Sequence, residues 1–209
     1  MSDPKLRLIT VLLDRSGSMH AVKADTEGGL RAFLEEQRNA PGRTLVTLRQ
    51  FDSVHETVFS AVPLEEVPEF ELRPRGTTAL LDAIGSTLAS VDEYLAGQPE
   101  QDRPGEVVVV ILTDGYENSS KEWTLPAVKD AITQRRKAGW QILFLGADQD
   151  AIHVATQMGI TADTALSYSS DRTLDSLTLA GQAVARGTRT GDYSFTDAER
   201  TQAKGEVDR

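Results

Sequence analysis

The residues in this chain best suited to chemistry are oxygen donors placed just beyond apolar runs. Asp14-Arg15-Ser16-Gly17-Ser18 follows the run Leu6 to Leu13, and Thr113-Asp114-Gly115 follows Glu106 to Leu112. Gly76-Thr77-Thr78 stands at the head of an amphipathic stretch. Asp14, Ser16 and Ser18 lie two apart in a turn that Gly17 permits, so their side chains can converge on one point. Together these segments offer two carboxylates and several hydroxyls, with no imidazole or thiolate among them. An all-oxygen set suits a hard divalent cation, with magnesium, manganese and calcium the candidates. Few of the donors are charged. An ion held there keeps residual positive charge and a position open to water or an anionic ligand. Each residue alone has a plainer reading: Asp after a strand commonly forms a turn, and Ser16, Ser18 and Thr78 could each cap a helix. Their shared location at one end of one sheet favours the cation.

The sheet is inferred from the apolar runs. Leu6 to Leu13, Glu106 to Leu112 and Trp140 to Leu145 have the near-continuous apolar character of strands covered on both faces. Thr44 to Phe51 is a fourth strand, and His55 to Val62 follows it at hairpin spacing, as an antiparallel edge strand would. Leu80, Leu81, Ile84, Leu88, Val91 and Leu95 fall at threes and fours, which predicts an amphipathic helix between Thr78 and Leu95. Thr124 to Lys137 reads as another, capped by Thr124 and ended by Gly139. A helix over Val22 to Gln37 must carry Gly28-Gly29, at about 1 kcal/mol each. Asp148 to Met158 reads as a short helix with Asp148 as its cap, and Leu174, Leu177 and Val184 suggest one more. From Gly187 onward the chain is polar and reads as a tail. Strands alternating with helices give an α/β fold class: a doubly wound, Rossmann-like three-layer sandwich, mostly parallel with one antiparallel edge strand. Such sheets bind ligands at the carboxyl ends of strands where the strand order reverses.

Composition narrows the function. The 209 residues fit one domain, and charged and apolar fractions of 26% and 39% are those of a globular protein. A net charge of −10 argues against nucleic acid and anionic membrane as partners, since both need a basic face. There is no cysteine, so neither disulfides nor a thiolate metal site can form. The first apolar run is short and ends at Asp14, as a buried strand does and a signal peptide or membrane span does not. Cytoplasm is the expected location.

Asp14-Arg15-Ser16-Gly17-Ser18 resembles the Asp-x-Ser-x-Ser motif of von Willebrand factor type A (VWA) domains, the first part of their metal-ion-dependent adhesion site (MIDAS). Gly76 to Ile84 resembles the family's threonine loop, with Thr78 best aligned to its metal-binding threonine and its neighbour Thr77 the alternative. Leu112-Thr113-Asp114-Gly115 resembles the loop that carries the second aspartate. The parts occur in the family's order and cover Leu6 to about Tyr168, similar to small free-standing bacterial and phage members. The resemblance implies a VWA domain over 1–170, followed by a C-terminal helix and polar tail over 171–209. It implies a divalent metal, magnesium foremost, touched by Ser16, Ser18 and Thr78 and held mainly through water or hydroxyls by Asp14 and Asp114. It also implies a protein partner whose Asp or Glu completes the coordination, and binding rather than catalysis. Arg75 and Tyr116-Glu117-Asn118 are the expected further contacts to that partner, and Arg15 is either one more or a plain solvated side chain.

A strand ending in Asp also suggests a metal-dependent phosphatase of haloacid-dehalogenase type. That chemistry needs a second Asp where this chain has Ser16, and a lysine for which Lys121 and Lys129 are poor candidates. Dinucleotide-binding and serine-hydrolase readings fail for want of Gly-x-Gly-x-x-Gly, a Walker loop or Gly-x-Ser-x-Gly. His20, His55 and His153 are scattered, and Trp123 and Trp140 read as core cover.

Overall fold

The computed structural model describes residues 2–205. Runs of β-branched and other apolar residues form β1 (Asp3–Asp14), β2 (Arg43–Phe51), β3 (His55–Pro63), β4 (Pro104–Thr113), β5 (Gln141–Ala147) and β6 (Ala165–Tyr168). They make a six-stranded sheet in the order β3-β2-β1-β4-β5-β6. Only β3 runs antiparallel, paired with β2; the other neighbours are parallel. The helices are α1 (Lys23–Arg38), α2 (Leu80–Gly97), α3 (Leu125–Lys137), α4 (Ala151–Gln157), α5 (Thr173–Thr190) and α6 (Asp197–Lys204). This is the expected three-layer sandwich. Among the described residues no helix is long and apolar enough to cross a membrane.

Strand alternation divides the core. Ile9, Val11, Leu13, Val108, Val110 and Leu112 pack with α1 and α5 on one face. Leu8, Leu12, Val107, Val109 and Ile111 pack with α2, α3 and α4 on the other. A sheet covered on both sides holds its strand ends rigidly, and the candidate site stands on those ends.

The glycines inside α1 have a packing reason. A Cβ on Gly29 would stand 2.8 Å from Leu177 of α5, and one on Gly181 of α5 would stand 2.9 Å from the Phe33 Cα. The two helices approach almost backbone to backbone, and the burial gained offsets the propensity lost.

The structure departs from the sequence reading in three places. β6 forms where no strand is predicted, because Ala-Leu-Ser-Tyr is too short to show a run. The cap of α4 is Asp150, which accepts the His153 N–H at 3.0 Å; Asp148 has a left-handed backbone (φ +49°) and stands outside the helix. The polar stretch after Gly187 is not a tail throughout. Tyr193, Phe195 and Ala203 are buried in the core, and α6 opens with a capping box between Thr196 and Glu199. Residues 206–209 of the expected tail lie outside the described residues.

Two glycines of α2 should respond oppositely to alanine. A Cβ at Gly85 would stand 2.0 Å from the Trp123 ring, whereas nothing lies within 4 Å of one at Gly97. Gly85→Ala is expected to lower the unfolding free energy by about 1–3 kcal/mol. Gly97→Ala should raise it, by up to about 0.5–1 kcal/mol. Urea denaturation of both variants checks the contrast; equal effects would mean Trp123 does not pack there.

Candidate metal centre

The strand order reverses between β1 and β4, and the crevice at their carboxyl ends is where such a sheet places a ligand. Asp14 ends β1 and is fully buried, while Thr113 ends β4 beside it. One Asp14 oxygen accepts the Ser16 N–H at 2.7 Å and the other the Thr113 hydroxyl at 2.6 Å, which fixes the carboxylate. The Ser16 and Ser18 hydroxyl oxygens are 3.1 Å apart. Asp114 Oδ1 accepts from Ser18 at 2.8 Å and, at a longer 3.4 Å, from Ser16.

Thr78 completes the group. It is buried, and a Cβ on Gly115 would stand 2.9 Å from its hydroxyl, so that hydroxyl lies against the backbone just after Asp114. Glycine at 115 leaves the hydroxyl its room. Thr77 instead shares a hydrogen bond with the Ser119 hydroxyl at 2.9 Å. Asp14, Ser16, Ser18, Thr78 and Asp114 are therefore gathered at one place.

Backbone donors hold these loops. α2 has no side-chain cap of its own, and its first N–H groups are satisfied by the loop after β4. Asn118 accepts from Thr78 N at 3.0 Å, Glu117 from Leu81 N at 2.9 Å and the Ser120 hydroxyl from Asp82 N at 3.0 Å. In return the Asp82 carboxylate takes the N–H groups of Lys121, Glu122 and Trp123 at 2.7, 2.9 and 2.7 Å. The Asp114 loop and the Thr78 loop thus interlock. Glu117 and Asn118, expected as partner contacts, also hold this latch, and Asn118 remains exposed.

Arg15 departs from expectation, while Arg75 stays exposed as well as paired. Arg15 is buried with its Nε 2.9 Å from Asp52 Oδ2, and it pairs with Glu56 as well. Arg75 Nε reaches the same Asp52 oxygen at 2.8 Å. Both turn toward Asp52. Sequence spacing gave no signal for these pairings, which join residues far apart in the chain. Tyr116, by contrast, is 63% exposed beside the site, as a rim residue should be.

The carboxylates carry uncompensated charge. Burial pushes the Asp14 carboxyl up to about 6 despite the hydrogen bonds from Thr113 and Ser16, and the Asp114 charge adds to the rise. Burial raises Asp114 too, with Asp148 adding repulsion. Among the described residues no Lys, Arg or His forms an ion pair with Asp14 or Asp114, the nearby Arg15 being turned to Asp52 and Glu56. The Tyr168 hydroxyl, pushed up in pKa by burial and then by Asp114, Asp14 and Asp148, is buried with no hydrogen-bond partner of good geometry. Such a cluster fits a cation. No group of three or more His, Cys, Asp or Glu gathers among the described residues as a metal cluster, so a cation at this site would also need the hydroxyls as ligands. Lys121 and Lys129, needed for the haloacid-dehalogenase reading, are exposed and neither bonds Asp14.

The latch has a pH signature. Burial alone would raise Asp82, but the N–H groups of Lys121, Trp123 and Glu122 together hold its carboxyl below the ordinary 3.8. A depressed folded-state pKa adds stability above the unfolded value and loses it as pH falls through the folded one. Acid unfolding below about pH 4 should therefore be less steep in Asp82→Asn than in the wild type, and the variant less stable at pH 7 by roughly 1–3 kcal/mol. Superimposable pH–stability curves would remove Asp82 from the latch.

No family model and no curated protein matches the sequence. Solved structures match in fold. Proximal thread matrix protein 1 from the mussel byssus, in a form with a zinc-occupied MIDAS motif, is 18% identical with a TM-score of 0.58, over 85% of this chain and 46% of that one. The pilus adhesin SpaC from Lactobacillus rhamnosus GG, in its open conformation, is 17% identical with a TM-score of 0.63, over 89% of this chain and 31% of that one. This chain thus spans less than half the length of either. The von Willebrand factor domain of the type V pili tip protein Mfa5 from Porphyromonas gingivalis is 10% identical with a TM-score of 0.61, over 93% and 99% of the two chains. With its strand order, its antiparallel edge strand and these likenesses, the chain has the fold of a von Willebrand factor type A domain.

Proposed function

We propose that this chain is a metal-dependent protein-binding module. Asp14, Ser16, Ser18, Thr78 and Asp114 hold one divalent cation, magnesium foremost, and an Asp or Glu of a partner protein completes its coordination. The observation that carries this reading is the gathering of one buried and one half-buried carboxylate and three hydroxyls at the sheet's switch point, with no side-chain cation among the described residues paired to either carboxylate. The zinc-occupied MIDAS motif of the byssus protein supports a divalent metal in a fold of this kind.

When bound, the ion supplies concentrated positive charge on an otherwise acidic protein. The chain's own residues do the rest. Thr113 and the Ser16 N–H aim Asp14, while Asp114 orients both serine hydroxyls through the bonds they donate to it. Neutral hydroxyls leave the ion short of negative charge, which favours an incoming carboxylate over retained water. One such bond is too small for specificity, and exposed Tyr116 stands where a partner would pack.

Binding rather than catalysis is part of the proposal. Ser16 and Ser18 donate to Asp114, and His20 and His153 are exposed and bond neither serine. A poised base and nucleophile pair is what acyl or phosphoryl transfer usually requires.

Thermal unfolding tests the metal site. Manganese or magnesium at a hundred times its dissociation constant should stabilise the wild type by about 2.7 kcal/mol. For a domain of this size that is roughly 5–10 °C in Tm. Asp14→Asn, which keeps an acceptor for the Ser16 N–H, should fold and show no such shift. Equal shifts in both proteins, or none in the wild type, would rule out the site as drawn.

A further inference from the structure

Asp52 lies outside the donor set, in the turn between β2 and β3, yet it is only 1% exposed and bonds Arg15 in the loop after β1 and Arg75 and Ala79 on either side of Gly76–Thr78. Its Oδ1 accepts the Val54 N–H at 2.8 Å, while its Oδ2 receives Arg15 Nε at 2.9 Å and Arg75 Nε at 2.8 Å. Its backbone carbonyl accepts Ala79 N at 2.9 Å, one residue beyond Thr78. Around it the loops are tied to one another: Arg15 N to Phe51 O at 2.8 Å, Arg75 N to Arg15 O at 2.7 Å, and Gly17 N to Gly76 O at 3.2 Å. Gly76 is left-handed (φ +71°), and a Cβ there would stand 3.2 Å from the Asp52 Cβ, so the threonine loop passes close over this carboxylate.

The charges are arranged to match. Arg15 sits between Asp14 and Ser16, so its cation belongs to the metal loop itself. It is nevertheless drawn back onto Asp52 and Glu56, away from Asp14 and Asp114. Arg75, beside Gly76, is drawn to the same Asp52 oxygen. We infer that Asp52 is a positioning residue for the metal site: it clamps the Asp14–Ser18 loop to the Gly76–Thr78 loop and keeps two arginine cations off the ion.

This inference rests on the metal-binding reading above. Loss of Asp52 would slacken two of the three ligand loops and leave a net positive charge beside the site. Both effects weaken cation binding without touching a ligand. Outer-shell partners of metal ligands typically contribute about 10–100-fold in affinity.

The experiment measures Mn2+ affinity by electron paramagnetic resonance, together with the metal-free Tm, for the wild type, Asp52→Asn and Glu56→Gln. Asp92→Asn serves as control, since it breaks an ion pair with Arg135 about 18 Å down α2 from Leu80. Asp52→Asn is expected to bind Mn2+ about 10–100-fold more weakly. Asp92→Asn should match the wild type. Because loss of a buried ion pair can unfold a protein, Glu56→Gln gives a second reading: Glu56 is an exposed carboxylate that pairs with Arg15, and its neutralisation frees that cation toward the site, so Mn2+ binding should weaken measurably while the metal-free Tm stays near the wild-type value. A folded Asp52→Asn with wild-type affinity overturns the inference, as does a Glu56→Gln with wild-type affinity should Asp52→Asn not fold. A wild type that binds no Mn2+ overturns the metal reading itself, and this inference with it.

Discussion

Two carboxylates, buried Asp14 and half-buried Asp114, are brought together at the reversal of the strand order, and among the described residues no side-chain cation pairs with them. The rise of the Asp14 carboxyl from 3.8 to about 6 corresponds to something on the order of 3 kcal/mol against its charged form. That is a sizeable fraction of the stability of an ordinary domain. A bound cation, as proposed above, would offset that cost, and the arrangement around the two carboxylates fits such an occupant. Strands β1 and β4 must end side by side, glycine must stand at 115 to admit Thr78, and Arg15 must face elsewhere although it sits within the metal loop.

The surrounding loops are made rigid by carboxylates that accept backbone N–H groups. Asp82 receives three from the loop after β4, Glu117 receives Leu81, Ser119 and Ser120, and Asp52 receives Val54 while pairing with two arginines. Irregular backbone beside a buried site must find partners for its polar groups, and acidic side chains accept several at once. Much of the chain's acidity near the site is thus internal structure.

How much was legible in the sequence follows from the range of each interaction. β1 and β4 announced themselves through unbroken apolar runs, α2 through its threes and fours, and the metal loop through Asp14, Ser16 and Ser18 at alternate positions. These are local patterns. β6 has too few residues to show one, and α6 looked like tail because Tyr193 and Phe195 are isolated apolar anchors in polar sequence. Gly28-Gly29 looked like a weakness of α1 until α5 was seen against it. The bonds of Glu117, Asn118, Arg15 and Arg75 to Leu81, Thr78 and Asp52 join residues tens of positions apart and leave no spacing to read.

The most direct test of the account is to see the ion. Crystals grown with Mn2+ and measured at the manganese absorption edge should give one strong anomalous peak among the side-chain oxygens of Asp14, Ser16, Ser18, Thr78 and Asp114. The same crystals of Asp14→Asn should lack it. A wild-type map with no peak among those residues, or with manganese bound elsewhere on the protein, would contradict the account.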